Sequence, residues 1–109
     1  MYFNSRIYLV NNNVRFFGPG PMTLLKKTEE FGSLNKAAID MNMSYSKAFS
    51  IIKNAEKELS IKLLEGHAGG KCGGGSLVTK EAKELMIKYE EFIRRANLAT
   101  KELYHEIFS

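Results

Sequence analysis

The sequence has no tryptophan, a single cysteine and only two prolines in 109 residues. One thiol, Cys72, excludes an internal disulfide and suits a reducing, cytoplasmic setting. No apolar run approaches the ~18 residues of a membrane span, and the N-terminus lacks a signal-peptide layout. Groupings for covalent catalysis are missing too, since no Ser/His/Asp or Cys/His arrangement has an orienting partner. His67, His105 and Cys72 are too few and too badly spaced for a zinc site. No enzyme activity, metal or cofactor is therefore expected. Cys72 could act as a redox switch, but a tolerated small residue is the plainer reading. Excess charge is absent from the C-terminal part: residues 80–109 hold six Lys/Arg and six Glu, whereas residues 1–79 hold ten basic and six acidic side chains. The whole net charge of +4 thus lies in the front of the chain, as in a polyanion-binding head on a neutral stalk. What remains, 44% apolar and 26% charged, is the composition of one ordinary globular domain.

Along the chain, residues 5–10 (SRIYLV) and 14–17 (VRFF) are β-branched and aromatic, and Asn11, Asn12 and Asn13 between them tolerate the positive φ of a primed turn. An N-terminal hairpin is predicted, leaning on helices or on a partner subunit. Gly18-Pro-Gly-Pro21 breaks the chain, and a helix follows from about Pro21 to Phe31, with Gly32 as its left-handed stop. Ser33 caps a second helix, Leu34 to about Met41, with Leu34, Ala37, Ala38 and Met41 inward. Asn42-Met43 makes a short turn.

Ser44 then opens the longest helix of the head, Tyr45 to about Ser60. At 100° per residue, Ala48, Ile51, Ile52, Ala55 and Leu59 fall within about 60° of one line. The opposite side carries Ser46, Ser50, Lys53 and Lys57, flanked by Lys47 and Asn54, with no acid among them. Short hydroxyl and amide side chains can approach base edges in a DNA major groove while lysines reach phosphates. Two short helices before a third, with the last entering the groove by its first turns, is helix-turn-helix geometry. Ser33 and Lys36, at the start of the preceding helix, complete the candidate contacts on the helices.

Residues 62–65 (KLLE) and 76–79 (SLVT) are short strands around HAGGKCGGG. Five glycines between Gly69 and Gly75 suit close approach of backbone N–H groups to a phosphate, with Lys71 adding charge. A hairpin after a recognition helix is the wing of a winged helix-turn-helix. A nucleotide cradle fits less well, because Lys71 precedes the second glycine run and Ser76-Leu77-Val78 reads as strand, with no helix opening at the glycines. Thr79 caps the last helix. Along it Ala82, Leu85, Tyr89, Phe92, Ala96, Ala99 and Leu103 repeat at 3-4 spacing, a coiled-coil seam over about three heptads, widened by Met86, Ile93, Ile107 and Phe108. That face is too apolar for a lone monomer, so a homodimer through Phe92, Ala96, Ala99 and Leu103 is predicted.

At GSLNKAA, MSYSKAF and GGKCGGGSLVT the chain resembles the N-terminal DNA-binding domain of ModE-type molybdate-responsive transcriptional regulators, over roughly Phe16 to Tyr89. The helix-turn-helix half is shared with LysR-type regulators; S-Y-x-x-A together with G-G-K-x-G-G-G is more specific. The resemblance implies double-stranded DNA contacts from Ser44, Tyr45, Ser46, Lys47 and Ser50, and backbone or phosphate contacts from Gly69, Gly70, Lys71, Gly73, Gly74, Gly75 and Ser76. It further implies a homodimer joined through the N-terminal strands, at Ile7 and Leu9, and the terminal helix, on a palindromic operator. Cys72 and His67-Ala68 depart from the family's wing. No residue here matches a molybdate site, so any effector is expected to be sensed by another domain or protein.

The expected fold is α+β, mainly α: one winged helix-turn-helix domain with a hairpin at 1–18, the helix-turn-helix and wing at 19–79, and a long dimerisation helix at 80–109. The expected function is sequence-specific DNA binding in transcription regulation. The alternatives are a winged-helix protein-interaction module, for which Phe49 near the rim of the polar face is the one hint, and an anion-binding module using the glycine-rich loop.

Overall fold

The computed structural model describes residues 1–66 and 75–109. Its elements run β1 (Leu9–Asn11), β2 (Val14–Phe17), α1 (Pro19–Phe31), α2 (Leu34–Asp40), α3 (Tyr45–Leu59), β3 (Leu64–Gly66), β4 (Ser76–Val78) and α4 (Lys80–Phe108). This is a winged helix with an added N-terminal hairpin.

The hairpin turns on Asn12 and Asn13, both with positive φ (51° and 63°), as the asparagine run predicts. Strands β1 and β2 pair antiparallel, with a bulge between Leu9 and Val10. The first strand is shorter than expected: residues 5–8 are not strand, and the chain before Leu9 instead lies along α4. There the Tyr89 hydroxyl donates to the Ile7 carbonyl at 2.8 Å, and Phe3 stacks 5.1 Å from Tyr104. A 29-residue helix offers a longer apolar platform than a four-residue partner strand, and the N-terminal segment follows it.

Helix α1 begins two residues earlier than predicted, at Pro19. Both Pro19 and Pro21 fit its first turn, where the backbone N–H groups have no helical partner to lose. Gly18 ahead of it is required by close approach, since a Cβ there would come within 2.5 Å of the Tyr8 ring. At the other end Gly32 adopts φ 70° and its N–H closes the helix on the Thr28 carbonyl at 2.8 Å. Ser33, Ser44 and Thr79 each cap their helix, accepting from the N–H of Lys36, Lys47 and Ala82 at 3.2, 3.0 and 3.1 Å.

The core gathers Phe17, Leu24, Leu25, Leu34, Ala37, Ala38, Ala48, Ile52, Ala55, Leu63 and Val78. The fully buried Ala37, Ala38, Ala48 and Ala55 let α2 and α3 approach closely. Helix α4 closes the core with Ala82, Met86 and Tyr89, the last meeting Phe17 edge-on at 5.1 Å between ring centres. Its inward line runs through Met86 and Ile93, to one side of the predicted seam. Phe92, Ala99 and Leu103 stay exposed, and so do Leu98, Ile107 and Phe108. Lys26–Glu90 (2.8 Å) and Lys83–Glu29 (3.4 Å) tie α1 to α4 across the surface. The radius of gyration, 16.3 Å, exceeds the ~13 Å of a compact chain of this length because α4 runs past the head.

Candidate nucleic-acid interface

Helix α3 presents the face its sequence predicts. Ala48, Ile52 and Ala55 are buried, while Ser46, Lys47, Ser50, Lys53, Asn54 and Lys57 are exposed on the other side. The two acids of α3 turn away from that face. Glu58 accepts a hydrogen bond from the Asn11 amide of the β1–β2 hairpin at 3.2 Å. Glu56 reaches the start of the wing, accepting from the N–H groups of Leu63 (2.8 Å) and Leu64 (3.3 Å), and pairs with Lys53 at 3.2 Å. Burial pushes the Glu56 carboxyl up, but the two backbone N–H bonds and Lys53 outweigh it and hold it below its ordinary value.

Each long edge of α3 is flanked by a hairpin. On one side a cleft of about 200 Å³ separates α3 from β3–β4, lined by Tyr45, Phe49, Ile52, Glu56, Leu64 and Glu65 among others. Tyr45 and Phe49 stack with ring centres 6.0 Å apart, and the Lys53 ammonium lies 5.2 Å above the Phe49 ring. On the other side a second cleft of similar size lies between α3 and the N-terminal hairpin, lined by Tyr8, Arg15, Ile51 and Asn54. The Arg15 guanidinium sits 4.5 Å from the centre of the Tyr8 ring. The wing itself is anchored from behind. The Ser76 N–H donates to the Gly32 carbonyl at 2.9 Å, and Thr79 bridges β4 to Lys62 through its hydroxyl (2.6 Å).

No protein-family model matches the chain. It is 36% identical over 75 residues to the transcriptional regulator ModE of Haemophilus influenzae, and 34% identical over 93 residues to the molybdenum transport protein ModE of Herbaspirillum seropedicae. Those alignments take in 69% and 84% of this chain. Among solved structures, the CbnR DNA-binding domain in its complex with DNA superposes with a TM-score of 0.61 at 15% identity, over 86% of this chain and 99% of that one. Over this winged-helix domain the chain is similar to the ModE regulators. It spans 29% and 33% of the two ModE relatives, so it corresponds to about a third of each.

In this winged-helix domain the predicted contacts fall into three groups. Ser46, Lys47, Ser50, Asn54 and half-exposed Tyr45 share the open face or edges of α3, and Ser44 caps its start. Ser33 is engaged as the cap of α2, beside exposed Lys36, and Lys53 is held by Glu56 and Phe49. Gly69, Gly70, Lys71, Gly73 and Gly74 lie outside the described residues, as do His67 and Cys72. Gly75 and Ser76 are described and half-buried, and the Ser76 N–H is taken up by the Gly32 carbonyl. Of the predicted association residues, Phe92 and Leu103 are half-exposed (50% and 55%) and Ala99 is open. Leu9 packs against the domain's own core, and the Ile7 carbonyl is occupied by Tyr89. Three residues escape the sequence reading: Glu56, which joins α3 to the wing; Arg15, placed beside α3 by the hairpin; and Phe49 as a braced ring. Spacing gives Phe49 away, since Tyr45, Phe49 and Lys53 recur every four residues. Nothing local marks the other two.

Proposed function

We propose that this domain is the DNA-reading module of a transcription regulator. Helix α3 enters the major groove of double-stranded DNA, Ser46, Lys47, Ser50 and Asn54 approach base edges and phosphates, and the wing follows the adjacent backbone with Lys71. The observation that carries this reading is the α3 surface itself: hydroxyls, an amide and lysines exposed together, with Glu58 bonded to the hairpin and Glu56 shared between the wing backbone and Lys53. The superposition on a domain solved with DNA and the ModE relatives, one of them termed a transcriptional regulator, support it.

Two copies act together in this proposal. Phe92, Ala96, Ala99 and Leu103 of α4 meet their counterparts in a second chain, and a two-fold dimer matches a palindromic operator. A connection to molybdenum comes from the relatives' names, and any effector is sensed by another domain or protein. The module works in the cytoplasm and carries out no chemistry of its own.

Selection from a random duplex pool by the purified protein, repeated at two salt concentrations, tests the reading. Enrichment of a two-fold-symmetric site, with affinity falling steeply as salt rises, is expected. Weak, unselective binding would instead favour a protein-interaction module, a reading to which the exposed rings of Tyr45 and Phe49 lend weight.

A further inference from the structure

We infer that Phe49 is a specificity-determining residue that recognises the 5-methyl group of thymine in the major groove; this rests on the DNA-binding reading above. Single exposed apolar side chains are ordinary on protein surfaces. Phe49 differs in being braced. It is 44% exposed, on the second turn of the helix whose polar face is offered to the groove. Tyr45, 50% exposed, stacks on it from one turn before, and Lys53 covers it from one turn after. Lys53 is in turn fixed by Glu56, whose other hydrogen bonds go to the wing backbone. The phenyl ring is therefore set in place before any ligand arrives, with its remaining edge open beside the cleft against β3.

The chemistry around that edge narrows what can meet it. Glu56 and Glu65 line that cleft together with Lys53 and Lys62, so its charges balance and it offers a phosphate no net attraction. Leu34, Ile52 and Leu64 line the same cleft and make part of its wall beside the ring apolar. The lysines of α3 nonetheless draw DNA to this face. The one apolar group projecting from base edges into the major groove is the thymine methyl, which apolar side chains recognise by contact. A thymine facing the wing-side edge of α3 thus completes the surface that Tyr45 and Phe49 begin.

Deoxyuridine differs from thymidine by that methyl alone, which makes the test direct. A duplex selected by the wild-type protein is resynthesised with deoxyuridine replacing each thymidine in turn, and binding of the full chain is measured for wild type, Phe49→Ala and Phe49→Leu. One position per half-site is expected to lose about fourfold in affinity for the wild type, the worth of one buried methyl. Phe49→Ala should bind thymidine and deoxyuridine duplexes alike at that position, and Phe49→Leu should keep part of the distinction. If the ring only stabilises α3, Phe49→Ala lowers thermal stability but leaves any thymidine preference intact, and the inference falls. It also falls if a site is selected but no deoxyuridine substitution matters, in which case the DNA-binding reading stands. Failure to select any site overturns both.

Discussion

Replacing Glu56 tests whether α3 and the wing are one rigid unit. Its carboxylate is the acceptor for two backbone N–H groups, at 2.8 and 3.3 Å, and its side chain is only 11% exposed. Glu56→Ala leaves those two donors without a protein partner in a largely shielded place. An unsatisfied group of this kind costs about 1–3 kcal/mol, so a net loss of about 2 kcal/mol is expected. For a domain of this size that lowers the melting temperature by roughly 10 °C. Glu56→Gln retains an acceptor oxygen and should lose about half as much. The pH dependence has a definite sign. Because the folded carboxyl titrates below its ordinary value of 4.5, the stabilisation is fully present above that value and is lost as pH falls through the folded one. Glu91, held down to about 2 by Arg94 and Arg95, adds an acid-sensitive contribution of its own, so the comparison must be with Glu56→Gln. Urea denaturation of wild type and both variants, from neutral pH to below pH 4, gives the result. The gap between wild type and Glu56→Gln should narrow on acidification. Equal stability of Glu56→Ala and wild type at neutral pH would refute the strut, and with it the bracing of Lys53 over Phe49.

Lys71→Ala should weaken binding to all sequences similarly and reduce the salt slope by roughly one per contacted phosphate; an unchanged slope would remove the wing from the interface. Lys47→Ala, at the start of α3, should change which sequences are preferred in selection. Leu103→Asp, at an exposed position of the monomer, should leave folding intact and weaken self-association by on the order of a hundredfold, because a carboxylate would be buried between apolar surfaces. An unchanged mass in sedimentation would count against association through α4. Tyr89→Phe keeps the edge-on contact with Phe17 but removes the donor to Ile7, and should cost about 1 kcal/mol by denaturation while speeding proteolysis ahead of Leu9.

Local chemistry made much of this fold readable. Ser33, Ser44 and Thr79 cap helices because a hydroxyl can satisfy an orphan N–H, and Gly32 and Asn12-Asn13 sit where φ turns positive. The polar and apolar faces of α3 follow from its periodicity alone. Less legible were features that depend on distant partners. Residues 5–8 have strand-forming side chains, yet α4, some eighty residues later, provides the surface they lie on. Glu56 reads as one more helix acid until β3 is folded beneath it. Ser76 reads as the start of a strand, but the bond from its N–H to Gly32 at the C-cap of α1 depends on a partner far away in the chain. The seam of α4 was visible as a repeat, but which side the head would cover depended on where Met86 and Ile93 found room.

The pairing of Phe3 with Tyr104 has a practical corollary for anyone labelling this protein. Tyr104 lies ~36 Å along the helix axis from Lys80. Residues 3 and 104 therefore lie side by side, far along α4 from its start at the wing. A fluorophore or affinity handle placed at either residue sits beside the α4 stripe through which two copies would meet in the proposed dimer. Dyes at the two positions should report on each other within one molecule and on a second copy when one joins.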